Sequence, residues 1–261
     1  MRALSTAATG MLAQQLNVEV ISNNIANLNT TAFKRQRNEF QDLLYQNIER
    51  VGANTSAQGT VAPSGIQVGV GVRSAATVRI TQQGSLERTE NLLDVAINGR
   101  GFFRLNLPNG QEAYTRAGTF QLDQQGNLVT PDGFLVQPNV TIPQEATDIT
   151  INQEGEVQVV LDGQVQPQVV GQLDLAIFFN DAGLEAVGNN LFLETQASGP
   201  PNIAPPGTNG FGTLEQGFVE RSNVNAVTEI TNLITAQRAY ELNSRVIQTA
   251  DEMLNAVNSI G

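Results

Sequence analysis

Residues 222–260 read SNVNAVTEITNLITAQRAYELNSRVIQTADEMLNAVNSI, with no proline and no glycine before Gly261. Nothing in this stretch interrupts a helix, which would run about 55 Å at ~1.5 Å per residue. Ala226, Leu233, Tyr240, Ile247 and Leu254 recur every seven residues, and Ala236, Ala250 and Val257 fill the position three later. That is the spacing of a coiled-coil seam rather than of a generic amphipathic face. Ala239, Leu242, Val246, Met253 and Ile260 make a second apolar stripe on a different side. A single partner helix covers one stripe, so this segment requires several neighbours.

The front of the chain answers with the same spacing. Leu4, Met11, Val18 and Ile25 recur every seven residues, with Ala7, Ile21 and Leu28 three further on and Gln14 breaking the series once. Two helices at opposite ends of a chain can pack as a hairpin-like pair whose leftover stripes are covered only by other copies, which is the logic of a polymer. The pattern also suits an ordinary intramolecular helix pair capping a globular domain. Read as a self-assembly seam, it comprises Leu4, Met11, Val18, Ile25, Leu28, Leu233, Tyr240, Ile247, Leu254 and Val257.

Composition narrows the chemistry. A chain of 261 residues, 40% hydrophobic, can bury a core, and its length accommodates two domains or one large β domain. It has no cysteine, histidine or tryptophan. This inventory excludes zinc held by Cys or His, a thiol nucleophile, a Ser-His dyad and a histidine pH switch. A formal charge of −11 with scattered basic residues argues against nucleic acid. Residues 1–10 carry one arginine and no apolar run of signal-peptide length, and no 18-residue span suits a bilayer core. The first helix also lacks a Lys/Arg-rich polar face, so direct membrane insertion is not expected. Gly69-Val70-Gly71 and Gly99-Arg100-Gly101 are fragments of phosphate loops and read as turns, while Glu154 and Glu156 flank a hairpin glycine as solvated charges. No catalytic residue, metal site or cofactor is expected.

Between Arg73 and Phe218, short apolar runs alternate with turn pairs: Pro108-Asn109-Gly110, Gln125-Gly126-Asn127, Pro131-Asp132-Gly133, Glu154-Gly155 and Asp162-Gly163. Strands are predicted around Ile149-Thr150-Ile151, Val157-Gln158-Val159, Leu173 to Phe179 and Leu191-Phe192-Leu193, forming an antiparallel sheet or partly closed barrel. Ser198 to Gly212, rich in proline and glycine, is predicted as a returning loop. From Gln36 to Gly71 a short helical or extended piece through Phe40, Leu43, Leu44 and Ile48 leads into linker-like Gly52–Gly59.

The end of the first helix carries Ser22-Asn23-Asn24-Ile25-Ala26-Asn27-Leu28-Asn29-Thr30-Thr31-Ala32-Phe33-Lys34. Asparagine tolerates left-handed backbone, so a C-cap and turn account for part of this run. As a whole it resembles the signature of the bacterial flagellar rod and hook family of axial proteins. Ala96 to Phe103 with Tyr114-Thr115-Arg116-Ala117-Gly118-Thr119-Phe120 is similar to that family's central block, Gln216 to Asn225 to its entry into the last helix, and Gln237-Arg238-Ala239-Tyr240-Glu241-Leu242-Asn243 to its C-terminal motif. Gly65 to Val72 and Asn91 to Ile97 are most similar to the distal-rod branch.

The expected class is therefore α+β: paired long terminal helices, coiled-coil-like, with a central antiparallel β-rich domain inserted between them. The expected division is an N-terminal core helix over residues 1–34, a connector over 35–71, an outer β-rich domain over 72–221 and a C-terminal core helix over 222–261. The resemblance implies a structural subunit of the basal body spanning the periplasm, exported by the flagellar type III apparatus without a cleaved signal. It implies self-assembly, and contact with the hook protein, the proximal rod proteins and the peptidoglycan and outer-membrane ring proteins. It further implies that the connector adds contacts between neighbouring subunits. Hook and proximal rod proteins are the alternatives within the family, and a secreted β-rich enzyme or binding module is the alternative outside it. Isolated monomers are expected to have partly disordered terminal segments that order on docking.

Overall fold

A computed structural model describes residues 2–49, 64–164 and 166–260. Two long helices, α1 (Arg2–Ala26) and α2 (Ala226–Ile260), accompany an antiparallel β-rich body that lies between them in sequence, so the class is α+β. Helix α2 starts at Ala226 rather than at Ser222. Asn225 caps it, with Oδ1 accepting the Thr228 N–H at 3.1 Å and the main-chain oxygen accepting the Glu229 N–H at 3.0 Å. Just before the cap, the Arg221 N–H is taken by Ser85 O at 2.9 Å and the Asn223 N–H by Phe33 O at 3.4 Å, which holds those residues outside the helix.

The chain divides into two compact units. The helical unit comprises residues 1–26, 36–79 and 225–261. Besides the helices it contains β1 (Gln36–Asp42), β2 (Tyr45–Glu49), β3 (Ile66–Gly69) and β4 (Val72–Arg79), in two antiparallel ribbons, β1 with β4 and β2 with β3. The piece through Phe40, Leu43, Leu44 and Ile48 is thus extended rather than helical, and because β1 pairs β4 one ribbon contains residues from both sides of the 71/72 boundary. Gly52–Gly59 lies outside the described residues.

Small residues let these elements approach closely. Ala7, Ala13 and Ile21 of α1 and Ala236 and Ala250 of α2 are buried. A methyl group added to Gly10 would stand 2.9 Å from Nδ2 of Asn243, and one added to Gly71 would stand 2.2 Å from Oγ1 of Thr9. The same Thr9 hydroxyl oxygen accepts the Val72 N–H at 3.3 Å, fastening the β1–β4 ribbon to α1.

The β body comprises residues 27–35 and 80–224. Its strands are β5 (Leu86–Arg88), β6 (Val95–Asn98), β7 (Phe102–Asn106), β8 (Glu112–Thr115), β9 (Gln121–Leu122), β10 (Leu128–Val129), β11 (Leu135–Gln137), β12 (Ala146–Ile151), β13 (Glu156–Leu161), β14 (Gln168–Gln172), β15 (Leu175–Ile177), β16 (Glu185–Gly188), β17 (Leu191–Leu193), β18 (Asn202–Ala204), β19 (Thr213–Gln216) and β20 (Phe218–Glu220). The largest sheet runs β16-β17-β8-β7-β11-β10-β9, with β15 beside β7 and β18 beside β15. Strands β12-β13-β14 form a second sheet, and β19–β6 and β20–β5 form ribbons. The turn glycines predicted from sequence, Gly110, Gly126, Gly133, Gly155 and Gly163, all have φ between +79° and +85°.

The structure departs from the sequence reading at two places in this body. The strand predicted over 173–179 is only Leu175–Ile177, and the predicted loop over 198–212 contains β18. Proline pairs on both sides favour extended backbone at Asn202–Ala204, which then pairs with β15. Phe103, Leu105, Phe120, Leu128, Leu173, Leu175 and Leu214 lie in the main core. Phe102, Tyr114, Phe178 and Phe192 form a second cluster of edge-on rings with centroids 4.8–6.0 Å apart.

Gly118 tests how tightly this body is closed, because a Cβ there would lie 1.7 Å from the carbonyl oxygen of Val95. Gly118→Ala is expected to cost on the order of 3 kcal/mol or to prevent folding. Gly110→Ala meets no atom within 4 Å and bears only the strain of its φ of +79°, roughly 1–2 kcal/mol. Thermal unfolding followed by circular dichroism compares them, and equal losses would contradict the close approach.

Candidate functional site

The signature at the end of α1 is two buried polar centres rather than one long cap. In the helical unit, Ser22 and Ala26 are exposed and Ile25 half-buried, but Asn24 is 1% exposed. Its Oδ1 accepts the Gln36 N–H at 2.8 Å, while Nδ2 donates to Gln36 O at 2.8 Å and to Oε2 of Glu229 at 3.0 Å. Asn24 therefore bonds β1 as a neighbouring strand would and joins α1 to the first turn of α2. Glu229, 2% exposed, gains from the positive end of α2.

In the β body, Asn27 to Phe33 make the turns that deliver Lys34 inward. The Thr30 hydroxyl donates to Oδ1 of Asn27 at 3.0 Å, Oδ1 of Asn29 accepts from Arg221 at 3.4 Å, and Ala32, at φ +58°, gives its N–H to Glu220 O at 2.7 Å. Lys34 Nζ donates to Oε1 of Glu220 at 2.5 Å and to Gln82 O at 3.0 Å. Gly84 N–H donates to the same Oε1 at 2.8 Å, and Arg116 Nε donates to Oε2 at 2.6 Å. The rest of the Arg116 guanidinium serves three main-chain oxygens, those of Gly101, Gly99 and Ile97, at 2.8, 2.5 and 3.3 Å.

The knot encloses two cations and one anion, and the Glu220 side chain has no exposure. Burial pushes the Lys34 ammonium below the usual lysine range; Glu220 opposes that shift and Arg116 adds to it. Asn223 completes the arrangement, its Oδ1 accepting the Arg35 N–H at 2.7 Å and its Nδ2 donating to Ile80 O and Gln82 O at 2.9 and 2.8 Å. Residues 34–35, 80–84 and 220–223, beside three of the places where the chain passes between units, are thereby knitted together inside the β body. Arg116, Glu220 and Asn223 stood within motifs read from the sequence, but the pairing did not. Glu220 is 186 residues from Lys34 and 104 from Arg116, beyond the reach of any local pattern.

The seam residues have a different character. Leu4, Met11, Val18, Ile25, Leu28, Leu233, Ile247 and Leu254 are half-buried, while Tyr240 and Val257 are 43% and 68% exposed. Gln237 and Arg238 lie on the exposed surface of α2. Val227, Ile230, Ile234, Leu242, Val246 and Met253 are exposed as well, so exposed apolar side chains recur along α2 for most of its length. Among the described residues, no group of three or more acidic side chains is placed to hold a metal ion.

Three family models match successive parts of the chain: Flagella basal body rod protein over residues 4–34, Flagellar hook protein FlgE/F/G D1 domain over 96–159, and Flagellar basal body rod FlgEFG protein C-terminal over 215–260. The Flagellar basal-body rod protein FlgG of Caulobacter vibrioides is 62% identical over 260 residues, covering 100% of this chain and 99% of that protein. The chain belongs to the flagellar basal-body rod protein family. The protein of the same name from Buchnera aphidicola subsp. Acyrthosiphon pisum is 52% identical over 97% of this chain and 96% of its own. The Flagellar hook-basal body complex protein FlhP of Bacillus subtilis is 31% identical over 100% and 99%. Flagellar rod proteins are structural subunits, not enzymes. The three arms of the knot come one from each matched stretch of the rod protein: Lys34 from the first, Arg116 from the second and Glu220 from the third.

Glu220→Gln leaves two buried cations without their counter-charge and is expected to cost about 3–5 kcal/mol. Lys34→Met keeps the Arg116–Glu220 pair and removes the excess positive charge, so its cost is expected below about 2 kcal/mol. Urea unfolding of the two variants ranks them, and the opposite order would show that Glu220 is not the centre of the knot.

Proposed function

We propose that this rod-family chain is the distal-rod subunit, polymerising helically into a stiff hollow shaft that transmits torque to the hook. The observation that carries this is the set of exposed apolar side chains along α2, Val227, Ile230, Ile234, Tyr240, Leu242, Val246, Met253 and Val257, recurring on one helix, whereas the exposed large apolar residues of the β body, such as Leu92, Val169 and Phe179, are scattered over separate strands and turns. Burying one Leu, Ile, Val or Met contributes roughly 1.5–3 kcal/mol, so four or five per neighbour outweigh the entropy lost on assembly. Apolar side chains that recur along a helix and stay exposed among the described residues suit a head-to-tail contact, which does not close and so makes filaments.

In this reading α1 and α2 form the inner tube as a coiled-coil-like pair, residues 35–71 add contacts to neighbours and residues 72–221 form the outer layer. The partners are further copies, the hook protein, the proximal rod proteins and the surrounding peptidoglycan and outer-membrane ring proteins. The location is the distal rod across the periplasm, reached by export without a cleaved signal. The rod reading is favoured over a hook protein by full-length identity to proteins named as basal-body rod proteins.

Electron microscopy of concentrated full-length protein is expected to show straight rods. Removing residues 2–26 or 226–260 is expected to abolish them, and Val227→Ser with Ile234→Ser and Leu242→Ser to raise the assembly threshold by ~100-fold or more. A full-length chain that stays a single particle at high concentration, or a triple variant that assembles as readily as the parent, would overturn the proposal.

A further inference from the structure

The charge of −11 is divided unevenly between the two units. The helical unit holds seven arginines and eight carboxylates, a net −1, and the β body holds seven cations and seventeen carboxylates, a net −10. Within the β body the imbalance concentrates further. From Leu105 to Val219 there are thirteen carboxylates and one cation, Arg116. Arg116 is 6% exposed and committed to Glu220 and three carbonyls, while none of the thirteen carboxylates is buried. Strands β8 to β19 therefore present an acidic surface with no exposed lysine or arginine of their own.

Exposed like charges repel over about a Debye length, ~10 Å at 0.1 M salt and ~30 Å at 0.01 M. A helical polymer repeats every subunit at close spacing, so it multiplies that repulsion wherever β bodies are neighbours. The near-neutral helical unit bears no such cost. Its exposed apolar side chains on α2 can meet another copy without opposition from net charge.

We propose that the acidic surface of the β body is an electrostatic governor of self-assembly. Copies attract through the helical unit, β bodies repel through residues 105–219, and ionic strength sets the concentration at which the polymer forms. This rests on the self-assembly reading above and adds the regulation of that contact. It also distinguishes the roles of the two surfaces: the helical unit supplies the attraction, and the β body limits it.

The full-length protein is sedimented across a series from low to roughly half-molar sodium chloride, together with a variant carrying Asp132→Asn, Glu145→Gln, Asp162→Asn and Glu185→Gln. These four side chains are exposed, and equal melting temperatures would establish that the variant is folded. The assembly threshold of the parent is expected to fall by ~10-fold or more over the series. The variant is expected to assemble at low salt as the parent does at higher salt, with a flatter dependence. Assembly with a threshold that is constant or rises with salt, or a folded variant with the parent's salt slope, would overturn the governor and leave the self-assembly reading standing. No assembly of the parent at any salt would overturn both.

Discussion

The Glu220 carboxylate lies out of water, and every bond that compensates for its lost hydration comes from a different part of the chain: the ammonium of Lys34, the guanidinium of Arg116 and the N–H of Gly84. The organisation of the β body turns on this ion. Taking a charge out of water costs several kcal/mol, which only well-aligned donors recover. A hydrophobic trio of equal volume could be as stable, but it would not fix direction. The carboxylate holds the Lys34 turn, the Gly84 segment and the exit of β20 in one relation, and Arg116 extends the same connection to the carbonyls of Ile97, Gly99 and Gly101. The closest packing nearby agrees, since a methyl group on Gly84 would stand 1.9 Å from the carbonyl oxygen of Arg221.

The helical unit solves a related problem with an amide. Asn24 satisfies both backbone groups of Gln36 and still reaches Glu229, so the end of α1, the start of β1 and the start of α2 share one buried polar contact. Along the rest of the helices the contact is built from alanine, Gly10 and half-buried larger side chains. Small residues bring helices close but hide little apolar area, and many of the larger side chains of α2, among them Val227, Ile230, Ile234, Leu242, Val246 and Met253, face outward. Close internal packing and exposed apolar side chains thus occur together, with the alanines of α2 inside and much of its branched set outside.

The partition of charge complements the partition of apolar surface. The unit that exposes apolar side chains along a helix is nearly neutral, and the unit that holds the two buried clusters of large apolar residues carries almost all the negative charge. Solubility and association therefore reside in different parts of one molecule. A single domain could not maximise both, because the same area cannot be both greasy and strongly charged.

Features set by local period and turn chemistry were legible in the amino-acid order alone. Heptad spacing specified two long helices, the second free of glycine and proline up to Ile260 and the first continuing across Gly10, and glycines such as Gly110, Gly133 and Gly163 marked the turns because residues with a Cβ resist φ near +80°. The family was legible too, through motifs that include Asn24, Lys34, Arg116 and Glu220. It took the folded chain to show which of those residues meet, that Asn225 rather than Ser222 opens α2, that Asn202–Ala204 joins a sheet, and that one of the signature's crowded asparagines is a buried hub. The difference comes from distance along the chain. Helices and turns are settled by neighbours a few residues apart, whereas a buried carboxylate is settled by donors more than a hundred residues away, and no periodicity records who will be there.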